Sequence, residues 1–400
     1  MTGPSVVVTG LGCVSAAGLG WEALWRACVQ GARLAKVVGP ASVGPGKPFE
    51  AAMAAVSDEV VREAVSRFDP SLIKRPTRHV RCALAAIADL TNGPGYAADG
   101  GRAGVIWGSG TSTLEPIEDG YEALFLSGKS RVSPLTVPNS MVSAPAGAIA
   151  KVLGLTGLSF SVGSACASSA HAISIGAALV SAGTLDKAIV GGSEVLLDHG
   201  AVAAWTSTGV VSRTTCRPFH PDRDGILLGE GAAVLALERE EDALGAGRPI
   251  LARLRSSAYA TGEVEPMSPD PAAVLDVMRQ VRAALSGHDV VVMNAHATGT
   301  KAGDQVEAAA IAEAFRDFEG ELRVRDTKAT TGHTMSAAGA IEAVLSIAEL
   351  NAEPPIEADA PPGPLLDERF RRPLSRRPDV AVSNSFGFGG MNCALMFERP

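Results

Sequence analysis

Aromatic side chains are scarce in this chain of 400 residues. They make up 4% of it, with 4 tryptophans, 3 tyrosines and 11 phenylalanines. A core with so few rings is built mainly from close-packed alanine, valine and leucine. Paired cysteines are also lacking. The six cysteines, Cys13, Cys28, Cys82, Cys166, Cys216 and Cys393, are scattered, with no CxxC and no metal-ligand spacing. That reads as free thiols in a reducing, cytoplasmic compartment. Positive charge is not in excess: charged residues are 20% and the formal net charge is -8. The balance does not indicate a strongly basic face for nucleic acid. No run of about 18 apolar residues escapes glycine or charge, so no membrane span is expected. The opening MTGPSVVVTGLG has neither a charged n-region nor a long apolar h-region, so no signal peptide is expected.

Short valine-rich runs bounded by glycine are plentiful. Examples are SVVVTGLG (5–12), AGVIWGSG (103–110), DKAIVGGSE (186–194), AAVLALE (232–238), DVVVMNAHA (289–297) and DVAVSNSFGFGG (379–390). Helix-length segments such as WEALWRACVQG, RCALAAIADL, QVEAAAIAEAF and AAGAIEAVLSIAEL separate them. This alternation, with 44 glycines at the turns, predicts an α/β enzyme of buried strands and helical layers. The length points to two domains or two fused halves. GLSFSVGSACASSAHAISIGAALVSAG and RVRDTKATTGHTMSAAGAIEAVLSIAEL both read strand, polar turn, small-residue helix. Each precedes a short strand ending in glycines, which hints at duplication. Residues 240–256 form a plausible junction, and the proline-rich stretch 353–373 reads as an extended surface crossing.

The polar turns hold the chemistry. Cys166 follows a β-like run and precedes a helix. A lone cysteine among small residues is most often packing. At a helix start, backbone N–H groups would stabilise a thiolate, lower its pKa and serve as an oxyanion hole. His296, in NAHATGT, ends a valine-rich strand, and His333, in KATTGHTMSAAGA, precedes a helix. Turns after strands are where α/β sheets place active sites. Two such histidines with a poised cysteine make acyl transfer through a thioester plausible, whereas the spacing suits no metal. Lys328 and Glu342 flank the His333 turn and could be a buried pair that orients it. Asp304 and Glu307, after His296, read as ordinary solvated charges. Thr298 and Thr300 are turn residues or donors to an amide-containing ligand. In NSFGFGGMN (384–392), Phe386 and Phe388 either pack a loop or gate an apolar channel.

Together, ACASS around Cys166, HATGT around His296, KATTGHTMSAAGA around His333, RDGILLGEGAAVLALE (223–238) and NSFGFGG make nearly the whole chain resemble one family. These are the β-ketoacyl-acyl carrier protein synthases, decarboxylating condensing enzymes of the thiolase superfamily. The elongating branch of bacterial type II fatty acid and polyketide synthesis is most similar. The resemblance implies a thiolase-like fold of two duplicated α/β halves in an αβαβα core. Residues 1–250 would hold the nucleophile and 251–400 the two histidines. It implies that Cys166 carries the acyl chain and that His296 and His333 support decarboxylation of a malonyl group. Lys328 would pair with Glu342. The backbone N–H groups of Cys166 and Phe388 would form an oxyanion hole. Thr298 and Thr300 would contact phosphopantetheine, Phe388 would gate, and Thr111 would limit the acyl pocket. No metal or dissociable cofactor is implied, since substrates ride on the 4'-phosphopantetheine of acyl carrier protein. That acidic partner needs basic docking residues, for which Lys74, Arg75, Arg78, Arg81, Arg131 and Arg217 are the candidates. A homodimer, or a heterodimer with a ketosynthase-like subunit, is implied.

The chain departs from the family pattern in places. Ala297 stands where glycine is common, Met335 and Ser336 where leucine and glycine are usual, and Met391 where threonine is common. EVEPMSP (263–269) lacks the usual histidine and threonine. These departures suit a specialised pathway. A starter-type synthase using acyl-CoA would carry Asn where His333 stands, and a degradative thiolase would need a second catalytic cysteine. A non-catalytic chain-length partner would lack Cys166. The active half of such a heterodimer and a priming enzyme remain as alternatives.

Overall fold

The computed structural model describes residues 4–38, 51–93, 101–111, 114–196, 198–262, 265, 267–352 and 362–400. Part of EVEPMSP and of the proline-rich stretch therefore lies outside the described residues. Five strands along the main path of the large sheet belong to the N-terminal half: β1 (Val6–Ser15), β2 (Ala103–Ser109), β3 (Phe160–Val162), β4 (Lys187–Glu194) and β5 (Gly231–Arg239). They lie in the order β3-β2-β4-β5-β1. Strand β2 is parallel to β3 and β4, and β5 runs antiparallel to β4 and β1.

The C-terminal half repeats this plan. Its strands are β6 (Ala252–Thr261), β7 (Val290–Asn294), β8 (Glu321–Arg325), β9 (Val380–Phe386) and β10 (Met391–Glu398), in the order β8-β7-β9-β10-β6. Directions match strand for strand. A short antiparallel pairing of β1 with β6, at Val7–Arg253 and Val8–Ala252, joins the halves. The duplication hinted at by the two strand–turn–helix segments is thus present in the topology.

Six helices complete the layers: α1 (Arg78–Asn92), α2 (Ala144–Leu153), α3 (Ser168–Ser181), α4 (Pro271–Ala283), α5 (Lys301–Ala314) and α6 (Ala338–Asn351). Helices α1 and α2 cover the outside of the N-terminal sheet, and α4 and α5 form the layer outside the C-terminal one. Helices α3 and α6 lie between the sheets. A helix that is apolar nearly all round is buried, and α6 is buried along nearly its whole length, with Glu342 and Ser346 among its buried residues. Close approach of the two central helices needs small residues. A Cβ on Gly339 would sit 2.7 Å from the backbone nitrogen of Ala170. Ser169 Oγ accepts a bond from the Ala340 N–H at 2.9 Å across this contact. Helices α3 and α6 both begin in polar turns, and those turns meet. Among the described residues, no helix is long and apolar enough to cross a membrane.

One expectation is corrected here. Arg78 is not a free docking cation. Its guanidinium donates to Glu230 at 3.2 and 2.8 Å and to the Val56 carbonyl at 2.7 Å, and it touches Asp58. Glu230 is wholly buried and also accepts the Val56 and Leu196 N–H groups. A buried carboxylate demands a paired cation, and Arg78 is committed to that task. Removing one member of a buried pair costs about 3 kcal/mol or more. Glu230→Ala is therefore expected to lower folding stability by about 3 kcal/mol in denaturant titration. A loss below 1 kcal/mol would show that the pair does not hold this corner.

Candidate active site

Cys166 lies in the turn between β3 and α3. The chain reverses there through Ala165, whose φ of 49° is left-handed. A residue with a Cβ is held in that region only when its surroundings over-determine it. His296 stands just beyond β7, and its neighbour Ala297 has φ 45°. Glu307 on α5 fixes this second turn by accepting from the His296 N–H at 2.7 Å and the Ala297 N–H at 2.8 Å. His333 is pinned by its backbone: its N–H donates to the Leu227 carbonyl at 2.6 Å, and its carbonyl accepts from Gly229. Met335, two residues on, has φ 45°.

These turns bring the three side chains together. His333 Nε2 lies 3.1 Å from Cys166 Sγ. The His296 and His333 rings meet edge to face, with centroids 5.3 Å apart. The sulfur and a nitrogen from each ring all lie within 4.8 Å of one another. Lys328 Nζ donates to Glu342 Oε1 beneath them, and both side chains are buried. The expected pair is formed.

Burial and the Lys328 charge together hold both imidazoles well below the usual histidine range; His333 adds to the effect on His296. Burial likewise pushes the Cys166 thiol up to about 11, against the opposing pull of Lys328 and of the Phe388 N–H. A helix start alone would shift the thiol the opposite way. That shift is overridden because desolvation of a wholly buried sulfur outweighs the partial charges of a helix end. The site therefore holds a neutral thiol beside neutral imidazoles.

A cavity of about 470 Å³ opens on Cys166, His296 and His333. Thr298 and Thr300 line it, with their hydroxyls 3.0 Å apart, and Thr300 also caps α5 by accepting the Gly303 N–H. Phe386 stands edge-on to His296 at 5.8 Å, and Phe388 meets Trp205 at 6.0 Å. Thr111 is exposed and is not part of the cavity wall. Lys74, Arg75, Arg131 and Arg217 are exposed, but on separate ground. Arg75 and Arg131 share a surface depression with Lys129, whereas Arg217 shares another with Arg33 and Arg325. Arg81 is half-buried.

Sequence reasoning missed three residues. Glu307 and Asp304 are buried rather than solvated. Asp304 accepts the Phe219 N–H at 2.7 Å and the Gly299 N–H at 3.0 Å, and burial pushes it up to about 7. Their spacing of three, on one face of the first two turns of a helix that follows a polar turn, was the available signal. Trp205 carried no such signal.

Two family descriptions match the chain. The β-ketoacyl synthase N-terminal domain matches residues 4–243, and the C-terminal domain matches 251–354. This chain belongs to the β-ketoacyl synthase family. It shares that family's class, condensing acyl transfer. Nodulation protein E of Rhizobium sp. is 32% identical over 98% of this chain and 99% of its own length. The 3-oxoacyl-[acyl-carrier-protein] synthase 2 of Coxiella burnetii is 31% identical over 98% of both chains. Among solved structures, the ishigamide ketosynthase/chain length factor superposes with a TM-score of 0.86 at 25% identity, covering 100% of both chains. A β-ketoacyl synthase from Burkholderia phymatum superposes with 0.82 at 25% identity, over 99% of this chain and 100% of its own.

The raised thiol pKa has a direct readout. Alkylation of Cys166 by iodoacetamide, followed by peptide mass spectrometry, should accelerate about tenfold per pH unit from 7 to 10, because the thiolate fraction rises until the pKa is passed. A plateau reached by pH 8 would show a thiolate already formed.

Proposed function

We propose that this synthase catalyses decarboxylative Claisen condensation of an acyl thioester on Cys166 with a malonyl group on acyl carrier protein. The 3.1 Å contact between Cys166 Sγ and His333 Nε2, with His296 alongside, supports this reading most strongly. Cys166 sulfur attacks the acyl thioester carbonyl as its proton passes to His333 Nε2. That proton leaves with the departing pantetheine thiolate, and the acyl chain stays on Cys166. The malonyl carboxylate then departs as carbon dioxide. Neutral imidazole N–H groups of His296 and of His333, the latter now in the tautomer that carries its proton on Nε2, hydrogen-bond the thioester oxygen as enolate charge develops there. The resulting carbanion attacks the acyl-Cys166 carbonyl. A carbon–carbon bond forms, the carbon–sulfur bond breaks, and the Cys166 thiolate takes up a proton from solvent, which neutralises the negative charge that the malonyl carboxylate brought in. The N–H groups of Cys166 and Phe388 stabilise the tetrahedral oxyanion. Lys328 and Glu342 set the electrostatics.

In this reading residues 1–250 supply the nucleophile and 251–400 both histidines. Thr298 and Thr300 hold the pantetheine arm, and Phe386 and Phe388 border it. The substrates arrive on the 4'-phosphopantetheine of acyl carrier protein, with no dissociable cofactor. Docking falls to Lys74, Arg75, Arg131 and Arg217. The enzyme works in the cytoplasm, in type II fatty acid or polyketide synthesis, as a homodimer or a heterodimer. A second arrangement is the catalytic half of a ketosynthase/chain-length-factor pair. The complete Cys–His–His set favours the catalytic over the non-catalytic role.

Incubation with acyl carrier protein substrate should leave an acyl mass on Cys166. Cys166→Ala should abolish both adduct and elongation. A folded wild-type enzyme with no adduct would overturn the reading. Arg217→Glu should raise KM for the carrier-bound substrate severalfold with kcat unchanged, and the effect should shrink at high salt. An unchanged KM would remove Arg217 from the docking surface.

A further inference from the structure

The turn that presents Cys166 is strained at Ala165, and side chains of α3 hold it. Ser168 Oγ, at the start of α3, accepts the Ser164 N–H at 2.9 Å and donates to the Ala165 carbonyl at 2.7 Å. One turn further along α3, His171 Nδ1 is hydrogen-bonded to Ser164 Oγ at 2.7 Å. The imidazole is fixed in its turn. Tyr259 of β6 stacks on it with centroids 5.9 Å apart and planes 16° from parallel, and the Tyr259 hydroxyl meets Ser174 of α3. On the opposite side, the chain leading to Phe388 rests on the elbow. A Cβ at Gly387 would lie 2.9 Å from the Ser164 carbonyl oxygen and 3.5 Å from Ala165 Cβ.

We propose that His171 is a positioning residue which, through Ser164, clamps the Ser164–Ala165–Cys166 elbow so that the Cys166 N–H stays aimed at the reacting carbonyl. The inference rests on the condensing reaction proposed above. Ala165 at φ 49° would relax to an ordinary backbone conformation if its neighbours released it. Relaxation would swing the Cys166 N–H away from the oxyanion while leaving His296, His333 and Lys328 in place, because those sit on other turns. Steps that need the Cys166 amide depend on the clamp, whereas decarboxylation of the malonyl group does not. The Ser168 hydroxyl and the Ala167 and Ser168 N–H groups bridge the elbow's backbone; the pair of His171 and Ser164 ties its side chain to rigid helix.

The test compares two rates on each variant, acyl transfer to Cys166 and malonyl decarboxylation without an acyl primer. Ser164→Ala and His171→Ala should each slow acyl transfer about tenfold or more, equivalent to about 1.4 kcal/mol of barrier. Decarboxylation should fall by less than about threefold. His171→Asn keeps a polar atom where Nδ1 sits and should restore acyl transfer to within about threefold. The double variant should be no worse than either single, since the two side chains act as one link. A parallel fall of both rates, or none in either single variant, would overturn the proposal. A wild-type enzyme lacking both activities would instead defeat the condensing reading. The clamp is then still read from crystal structures of Ser164→Ala and His171→Ala: Ala165 leaving the left-handed region supports it, and an unchanged φ in both contradicts it.

Discussion

The site depends on one buried ion pair. Lys328 begins the turn after β8, and Glu342 lies on α6, with His333 between them in sequence. Both side chains are almost wholly removed from water. Burying two charges is costly, and only close pairing recovers the loss. Burial pushes Glu342 up to about 7, and the attraction of Lys328 works against that shift. The gain is electrostatic control. Burial first, and then the fixed positive charge of Lys328, make a positive charge on either imidazole unfavourable, so both rings stay neutral. A neutral ring donates an N–H hydrogen bond to a developing enolate without handing over the proton, which would quench the carbanion.

The second constraint is backbone strain, present in all three turns. Ala165, Ala297 and Met335 all have left-handed φ, and each lies within two residues of a reacting side chain. Such turns survive because the frame over-determines them. Glu307 takes two consecutive N–H groups beside His296, Ser168 clasps the cysteine elbow, and the Leu227 carbonyl holds His333. The duplicated sheets place these turns at matching ends of two halves that pack through α3 and α6. The family's chemistry thus sits on rigid elements while the reacting groups occupy short loops.

Much of this was legible in the sequence because it is local. Valine runs closed by glycine mark the strands, and small-residue helices following polar turns mark α3 and α6. Cys166, His296 and His333 become legible together, through turns of one kind and the family motifs around them, and the Lys328–Glu342 pair through the glycine- and alanine-rich histidine turn that it flanks. The unread parts are long-range. Arg78 looks like a surface cation until Glu230, 152 residues away, is seen to need it. Glu307 and Asp304 look solvated until the 216–225 loop and Asn384 close over them. The Cys166 thiol reads as acidified from its helix start, because sequence shows the helix end but not the depth of burial. Thr111 falls in the expected motif, yet the chain carries it to the surface rather than to the cavity.

The neutral state of the two histidines is the central claim, and nitrogen NMR of ¹⁵N-histidine-labelled enzyme measures it directly. Titrated from pH 8 to 5, with assignments from His296→Gln and His333→Gln, both rings should keep neutral-imidazole shifts across the range. Protonation of either ring with a midpoint at or above its ordinary value of about 6.5 would contradict the account.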